Sequence, residues 1–259
     1  MRQDELAALG LEREAMSYYA GRTAPLGAIG TGTGTATFRN SNHEHVKRYI
    51  PAAWTVTTPE AVLAALLRGV EGMLRRQSGQ KVLASKEMAE AAGPALRAAE
   101  RVTARRVRCA PRAGLPVSEQ PHLALWYAAT LLCEHRGNGH LASLAVAGLS
   151  GIEALVLHNA TGTAPTSALA TRTREWSAQQ WETARGQLRE RGLLNEAGDL
   201  MESGAPLRAE TEVLTDRLDA APHDHLGPAA TARLIELVSG FSETLRAAGA
   251  FPAVHFGEG

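Results

Sequence analysis

The chain has 259 residues, 44% of them apolar, and its 27 basic and 27 acidic side chains balance to a net charge of zero. This apolar fraction is typical of a globular protein, and the length predicts two units or one large helical unit. The sequence has no run of about eighteen apolar residues and no N-terminal basic-then-apolar signal, so we expect a cytoplasmic protein with no membrane partner. Its two cysteines exclude a disulfide framework.

The first half predicts helices separated by one Gly- and Thr-rich segment. Residues 3–20 have an amphipathic pattern that predicts a single helix, and TAPLGAIGTGTGTATF, which follows, predicts a loop. Thr57 or Thr58 is the expected N-cap of a helix that opens at Pro59. A further helix is expected over 85–107, and the three prolines of CAPRAGLPVSEQP then predict a linker.

The second half has a sharper pattern. The apolar run LALWYAATLLCEH predicts a buried helix, which Gly137-Asn138-Gly139 is expected to stop, with Asn138 capping the next helix. Helices follow at GIEALVLHNA, at APTSALATR and from Ser177 onward. The segment RGLLNEAGDLMESG predicts two short strands around a tight turn, and one more helix comes after it. This order is that of a winged helix-turn-helix.

Residues 151–218 resemble the winged-helix core of MarR-type regulators. The resemblance rests on QLRERGLLNEAGDLMESGAPLR, which has the order of recognition-helix end, RGL, wing and Gly-containing helix start. The whole chain also resembles a group of uncharacterised actinobacterial winged-helix proteins that share three segments, here Ala24–Gly27, Pro51–Trp54 and Glu134–His140. The resemblance is informative about fold and weak for function.

We therefore predict a mostly α fold, in which a helical N-terminal region is followed by a winged helix-turn-helix with a short two-stranded wing. The predicted divisions are an N-terminal helical domain, a MarR-like domain and a C-terminal helix, at residues 1–118, 119–222 and 223–259.

The charge distribution argues against DNA binding by the predicted winged helix. Residues 1–150 carry 18 basic and 12 acidic side chains, a net of +6, whereas residues 151–225 carry 7 and 12, a net of −5. The predicted wing contains Glu196 and Asp199 and no basic residue. Since neutralisation of phosphates supplies most non-specific affinity for DNA, an acidic wing disfavours a DNA partner.

The segment CEHRGNGH is the first candidate for chemistry. If the Gly-Asn-Gly sequence interrupts the helix, Glu134, His135, Arg136 and His140 can surround one small volume, as an acid-base pair, an anion cradle or part of a metal or haem site. The alternative is structural: the charged residues lie at the surface and His140 acts as a cap. A histidine in such a pocket is the expected proton-transfer group, because imidazole titrates near neutral pH.

Two other clusters are candidates for ligand binding. In FRNSNHEHVKRY the H-x-H spacing would place His43 and His45 on one side of an extended strand as metal ligands, and the alternative is a solvated loop. In SYYAGR, Tyr18 and Arg22 lie within one helical turn, where the guanidinium could bind a substrate carboxylate or pair with a local glutamate.

These patterns lead to one functional hypothesis and one main alternative. The hypothesis is an enzyme or ligand-binding protein of bacterial specialised metabolism, with His135, His140 and Glu134 as catalytic residues and Arg22, Tyr18 and Arg136 binding the substrate. The sequence does not identify its cofactor, for which a metal and haem are the candidates, and we expect a homodimer. The alternative is a MarR-like regulator that binds DNA in response to a ligand. A purely structural interaction module is a third possibility.

Overall fold

The computed structural model describes residues 2–102, 109–162 and 167–250. These residues fold mostly as α-helices, with one 3-10 turn at Ala24–Leu26. The helices are α1 Arg2–Ala7, α2 Ala15–Thr23, α3 Thr31–Thr37, α4 His43–Tyr49, α5 Ala53–Val56, α6 Pro59–Leu83, α7 Lys86–Ala99, α8 Ala110–Ala113, α9 Pro121–Val146, α10 Gly151–Asn159, α11 Ser167–Arg174, α12 Ala178–Glu190, α13 Gly204–Leu226 and α14 Pro228–Ala247. Within these ranges, no single helix combines the length and the apolar character needed to cross a membrane.

The helix starts follow local capping chemistry, as the sequence predicts at two of them. Thr58 accepts a hydrogen bond from the Ala61 amide at 3.3 Å and Pro59 opens α6. Ser177 caps α12, where its hydroxyl accepts from the Gln180 amide while the Gln180 side chain accepts from the Ser177 amide. Each arrangement satisfies amides that an α-helix leaves without an internal partner.

The N-terminal region departs from its prediction in two places. The helix expected over 3–20 is two helices, because Gly10 and Glu14 both have positive φ, at 85° and 63°. That left-handed conformation ends a right-handed helix. Conversely, the Gly- and Thr-rich segment expected as a loop contains α3. The expected helix over 85–107 ends at Ala99 in the structure, and residues 103–107 lie outside the described part of the chain.

The predicted two-stranded wing is wrong. The described residues contain no β-strand, and the segment after α12 forms one antiparallel bridge between Leu194 and Leu200. The turn between them is closed by the Asn195 side chain, which accepts from the Asp199 amide at 2.8 Å. Because α13 already begins at Gly204, the second arm is too short for a ladder of strand hydrogen bonds.

The chain divides into two compact units. Of the described residues, the first unit takes 2–30, 49–102, 109–138 and 218–250, and the second takes 31–48, 139–162 and 167–217. The domain boundaries drawn from the sequence stay a prediction.

Each unit has an apolar core of its own. In the first unit α7, α9 and the segment around Cys109 contribute the buried residues Ala95, Ala99, Val102, Cys109, Ala128 and Leu131. In the second unit the core is richer in leucine, with buried Leu144, Leu149, Val156, Leu157, Ala184, Leu188, Leu193 and Leu194. Trp181 packs against this second core, as expected for a residue on the inner face of the third helix. The proline-rich segment expected as a linker is partly internal, since Cys109 and Arg112 are buried.

Candidate functional site

The helix that carries EHRGNGH is not interrupted, so the predicted break at Gly137-Asn138-Gly139 is wrong. Helix α9 continues from Pro121 to Val146. The Asn138 side chain donates to the Glu134 carbonyl at 2.9 Å and to Cys109 Sγ at 3.4 Å, which holds it along the helix instead of across a break. On a continuous helix, residues 134 and 140 are about 240° apart around the axis.

Glu134 forms the centre of a buried ion-pair cluster in the first unit. Its Oε1 lies 2.8 Å from Arg22 Nη2 and 3.8 Å from Arg112 Nε, and its side chain is 2% exposed. Arg112 Nη2 donates to the Arg22 carbonyl at 3.0 Å, and Tyr127 Oη donates to the Arg112 carbonyl at 3.0 Å. Arg22 and Glu134, predicted separately as a substrate-binding and a catalytic residue, therefore contact each other directly. Tyr18 packs edge-on against Tyr19, with ring centroids 5.3 Å apart.

The two residues after Glu134 lie near a different carboxylate of the first unit. His135 is fully buried, with Nε2 at 3.9 Å from Asp219 Oδ1, and Arg136 Nη1 lies 3.7 Å from Asp219 Oδ2. His223, one turn further along α13, places its Nε2 3.6 Å from the same Oδ2. Asp219 is thus surrounded by cationic or protonatable groups from α9 and from its own helix.

His140, the remaining residue of the predicted pocket, belongs to the second unit. Its Nδ1 lies 3.2 Å from Thr215 Oγ1, and this hydroxyl donates to the Thr211 carbonyl at 2.7 Å. Ser143 Oγ is 3.3 Å from the same Thr215 oxygen. Thr215 is therefore the common partner of two α9 side chains.

His43 and His45 lie on helix α4, and not on the extended strand that would place both rings on one side. His43 Nδ1 is 2.9 Å from Thr35 Oγ1, whereas His45 Nδ1 is 2.9 Å from Glu175 Oε2. Residues two apart on a helix point in nearly opposite directions. Within the described ranges, no three His, Cys, Asp or Glu side chains group closely enough to hold a metal ion.

Glu175 lies between helices α11 and α12 and contacts an arginine and a histidine of helix α4. It has positive φ, 54°, so the chain reverses there before α12 begins. Its Oε1 accepts from Arg48 Nη1 at 2.8 Å, and His45 occupies the other oxygen. Partial burial works to raise the pKa of the Glu175 carboxyl, but the Arg48 hydrogen bond and the charges of His45 and Arg48 outweigh it and lower the pKa below its ordinary value.

Residues 39–48, which we call the clasp, are bound to this turn and to the helices on both sides of it. Five side-chain hydrogen bonds of the clasp reach helices α10 to α12 or the segments next to them: Arg39 to the Leu149 carbonyl, Asn42 to the Glu175 carbonyl and to Gln180, and the His45 and Arg48 contacts with Glu175. Trp176 also donates from Nε1 to the Asn40 carbonyl at 2.9 Å. A segment more than a hundred residues upstream therefore holds the turn before α12.

Helix α12 has one buried face and one polar face. Ala184 and Leu188 are buried in the second core. Gln179, Thr183 and Gln187 are all exposed and four residues apart, so they form one stripe along the solvent-facing part of the helix, beside its buried face. The stripe consists of neutral groups that can both donate and accept hydrogen bonds.

The arginines of α12 bind the turn that follows the helix. Arg185 Nη2 donates to the Ala197 carbonyl at 2.9 Å, and Arg189 donates from Nη2 to the Glu196 carbonyl at 2.9 Å. Both arginines also contact the Glu182 carboxylate, at 3.2 and 3.0 Å. These contacts stiffen the 195–199 turn against the end of α12.

Sequence reasoning missed three residues that organise these clusters: Arg112, Glu175 and Asp219. Arg112 lies in a proline-rich stretch that indicates a linker, and Asp219 lies in a helix with many acidic residues. The position of Glu175, two residues before a helix cap, indicates that it could act as an ion-pair partner. The sequence does not identify that partner, because Arg48 lies 127 residues away along the chain.

Comparison with known proteins gives one match. A family model described as a helix-turn-helix family matches residues 2–252, which is almost the whole length of the chain. No curated protein and no solved structure matches it.

Proposed function

The chain belongs to a helix-turn-helix family, and we propose that it is a DNA-binding regulator that reads base edges with α12. In helix-turn-helix proteins the second helix of the motif enters the major groove and its N-terminal residues contact the bases. We assign α11, the turn at Glu175 and α12 as the first helix, the turn and the second helix of this motif, which is their order along the chain.

The observation that carries the proposal is the polar stripe of Gln179, Thr183 and Gln187 on the exposed side of α12. A glutamine amide can pair with the N6 and N7 groups of adenine, and a threonine offers a hydroxyl and a methyl group to thymine or its neighbours. Side chains of this kind can therefore distinguish bases by their hydrogen-bonding pattern.

The surplus of acidic residues in 151–225 lowers the affinity that we expect for DNA of random sequence. Because phosphate neutralisation supplies most non-specific binding, a net charge of −5 predicts weak binding to random DNA. Base contacts then carry a larger share of the specific affinity. We extend the proposal to a homodimer, since two copies related by a twofold axis can read two half-sites one helical turn apart.

We do not propose an enzymatic role for the residues of EHRGNGH. The side chains assigned to it contact other groups of the protein: Glu134 binds Arg22, His135 lies near Asp219 and His140 contacts Thr215. A proton-transfer role would need these contacts to open towards a substrate.

The experiment is a selection of duplexes from a random-sequence library with the full-length chain, followed by fluorescence anisotropy on the selected sequence. Wild-type protein should enrich a defined sequence. Gln179→Ala should then weaken binding by about 1–3 kcal/mol and relax the preference at one base position.

Gln120→Ala is the matched control, because Gln120 is exposed in the first unit and lies outside the helix-turn-helix. It should leave affinity and preference unchanged. The proposal fails if no sequence is enriched, or if Gln179→Ala and Gln120→Ala behave alike.

A further inference from the structure

The segment after α12 is poorly suited to the role that a wing has in related architectures, which is to add cationic contacts to DNA. It contributes Glu196 and Asp199, both exposed. The nearest arginines, Arg185 and Arg189, direct their guanidinium groups to the turn's own carbonyls and to Glu182. This end of the helix-turn-helix therefore presents negative charge.

The opposite end of α12 has a different charge pattern. Lys47 and Arg48 on the clasp are 58% and 55% exposed, and Arg172 near the end of α11 is exposed as well. Two carboxylates lie among them, since Glu44 pairs with Lys47 at 3.2 Å and Glu175 pairs with Arg48. The three cations exceed the two anions, so this end has a positive balance.

The clasp, which carries Lys47 and Arg48, lies beside the start of α12. Asn42 Nδ2 donates to Gln180 Oε1 at 3.2 Å, and Gln180 belongs to the first turn of α12. Arg48 reaches Glu175, two residues before the Ser177 cap. The positive end of the helix dipole lies at the same place, which adds to the attraction for an anion.

We propose that the clasp, together with Arg172 of α11, replaces the wing as the phosphate-contacting element. Lys47 and Arg48 of the clasp and Arg172 then bind the DNA backbone next to the N-terminal end of α12. The inference rests on the proposed function, because it assigns a surface to the same DNA partner. In helix-turn-helix complexes the first helix crosses the backbone while the second helix enters the groove, and Arg172 lies on that first helix. The 195–199 turn then points away from the phosphates.

The salt dependence of binding tests this assignment. Each phosphate contact releases counterions and contributes about −0.9 to the slope of log K against log salt. Lys47→Gln and Arg172→Gln should each reduce the slope by about 1, and the double variant by about 2, for a random-sequence duplex and for the selected sequence alike. Neither change removes the polar stripe, so the base preference should persist.

Lys86→Gln provides the matched control, since this exposed lysine lies in the first unit and its loss changes the net charge equally. The slope of this variant should equal that of wild type. If wild type selects a sequence with a steep salt slope and the double variant keeps that slope, the clasp assignment is overturned while the proposed function stands. If wild type binds no duplex, the proposed function itself is wrong.

A second variant tests the other half of the inference. Glu196→Gln removes a charge from the turn, which should change affinity by less than about twofold if the turn lies a Debye length or more from the backbone. A larger gain in affinity, with a steeper slope, would place the turn against the phosphates and would contradict the assignment.

Discussion

Two carboxylates, Glu134 in the first unit and Glu175 in the second, have the same pairing pattern in different surroundings. Each contacts two basic residues, Arg22 and Arg112 for Glu134 and His45 and Arg48 for Glu175. The Glu134 side chain is 2% exposed, whereas that of Glu175 is 44% exposed. The partners alone would suggest equal roles.

Burial separates those roles. In a buried cluster each charge has lost its hydration, so removing one partner leaves the other without water or counter-charge. In an exposed cluster water replaces the missing partner, and the net contribution to stability is small. We infer that Glu134 holds its unit together, while Glu175 chiefly orients the clasp beside α12.

The largest expected effect is on Glu134. Glu134→Ala leaves Arg112, which is buried, without its carboxylate, so the free energy of unfolding should fall by about 3–5 kcal/mol. Equilibrium urea unfolding followed by circular dichroism measures it. Glu236→Ala, which removes an exposed carboxylate paired with Arg233, should cost less than about 0.5 kcal/mol. Equal losses in the two variants would contradict the distinction drawn from burial.

The close contact between the clasp and Gly151 of α10 should affect stability nearly as much. A methyl group on Gly151 would lie 1.8 Å from the Arg39 carbonyl oxygen and 2.9 Å from the Asn40 Cα, and backbone atoms cannot rotate away. Gly151→Ala should therefore destabilise the second unit by about 1–3 kcal/mol and increase amide hydrogen exchange over residues 31–48.

Gly186→Ala is the matched change, because a methyl group on Gly186 meets nothing within 4 Å and the residue lies inside α12. That variant should gain about 0.5–1 kcal/mol, since alanine favours the helix. If Gly151→Ala exchanges its clasp amides at the wild-type rate, the clasp is not seated on α10 as described.

The smallest effect is expected at Glu175, and it should depend on pH. Glu175→Gln should cost less than about 1 kcal/mol near neutral pH, because the pair is exposed and screened by solvent. The folded state lowers the pKa of this carboxyl, so its contribution is fully present above the unfolded-state pKa and is lost as pH falls through the folded-state value. The difference between wild type and variant should therefore shrink in acid. A difference that stays constant or grows from pH 6 to about pH 3 would contradict the pairing.

Local chemistry explains which parts of the fold could be predicted. The cap at Thr58 and the helix start at Ser177 could be predicted, because a hydroxyl before a helix start satisfies amides a few residues away. The break at Gly137-Asn138-Gly139 was predicted on the same local grounds and is wrong, since Asn138 hydrogen-bonds along α9 and to Cys109. The predicted wing is wrong for a related reason: the local pattern of RGLLNEAGDLMESG is that of a hairpin, but α13 starts too early for the described segment to form more than the bridge between Leu194 and Leu200.

The sequence by itself determined the helical composition and the order of helices around α12, because helix periodicity and capping act over a few residues. Only the tertiary structure decided where the charges lie. In the folded chain, Arg185 and Arg189 bind the turn that follows α12. Glu134 is buried between Arg22 and Arg112. The clasp lies beside Glu175. The physical reason is that the electrostatic energy of a charge depends on its burial and on partners distant along the chain. Neither can be predicted from the spacing of residues along the sequence.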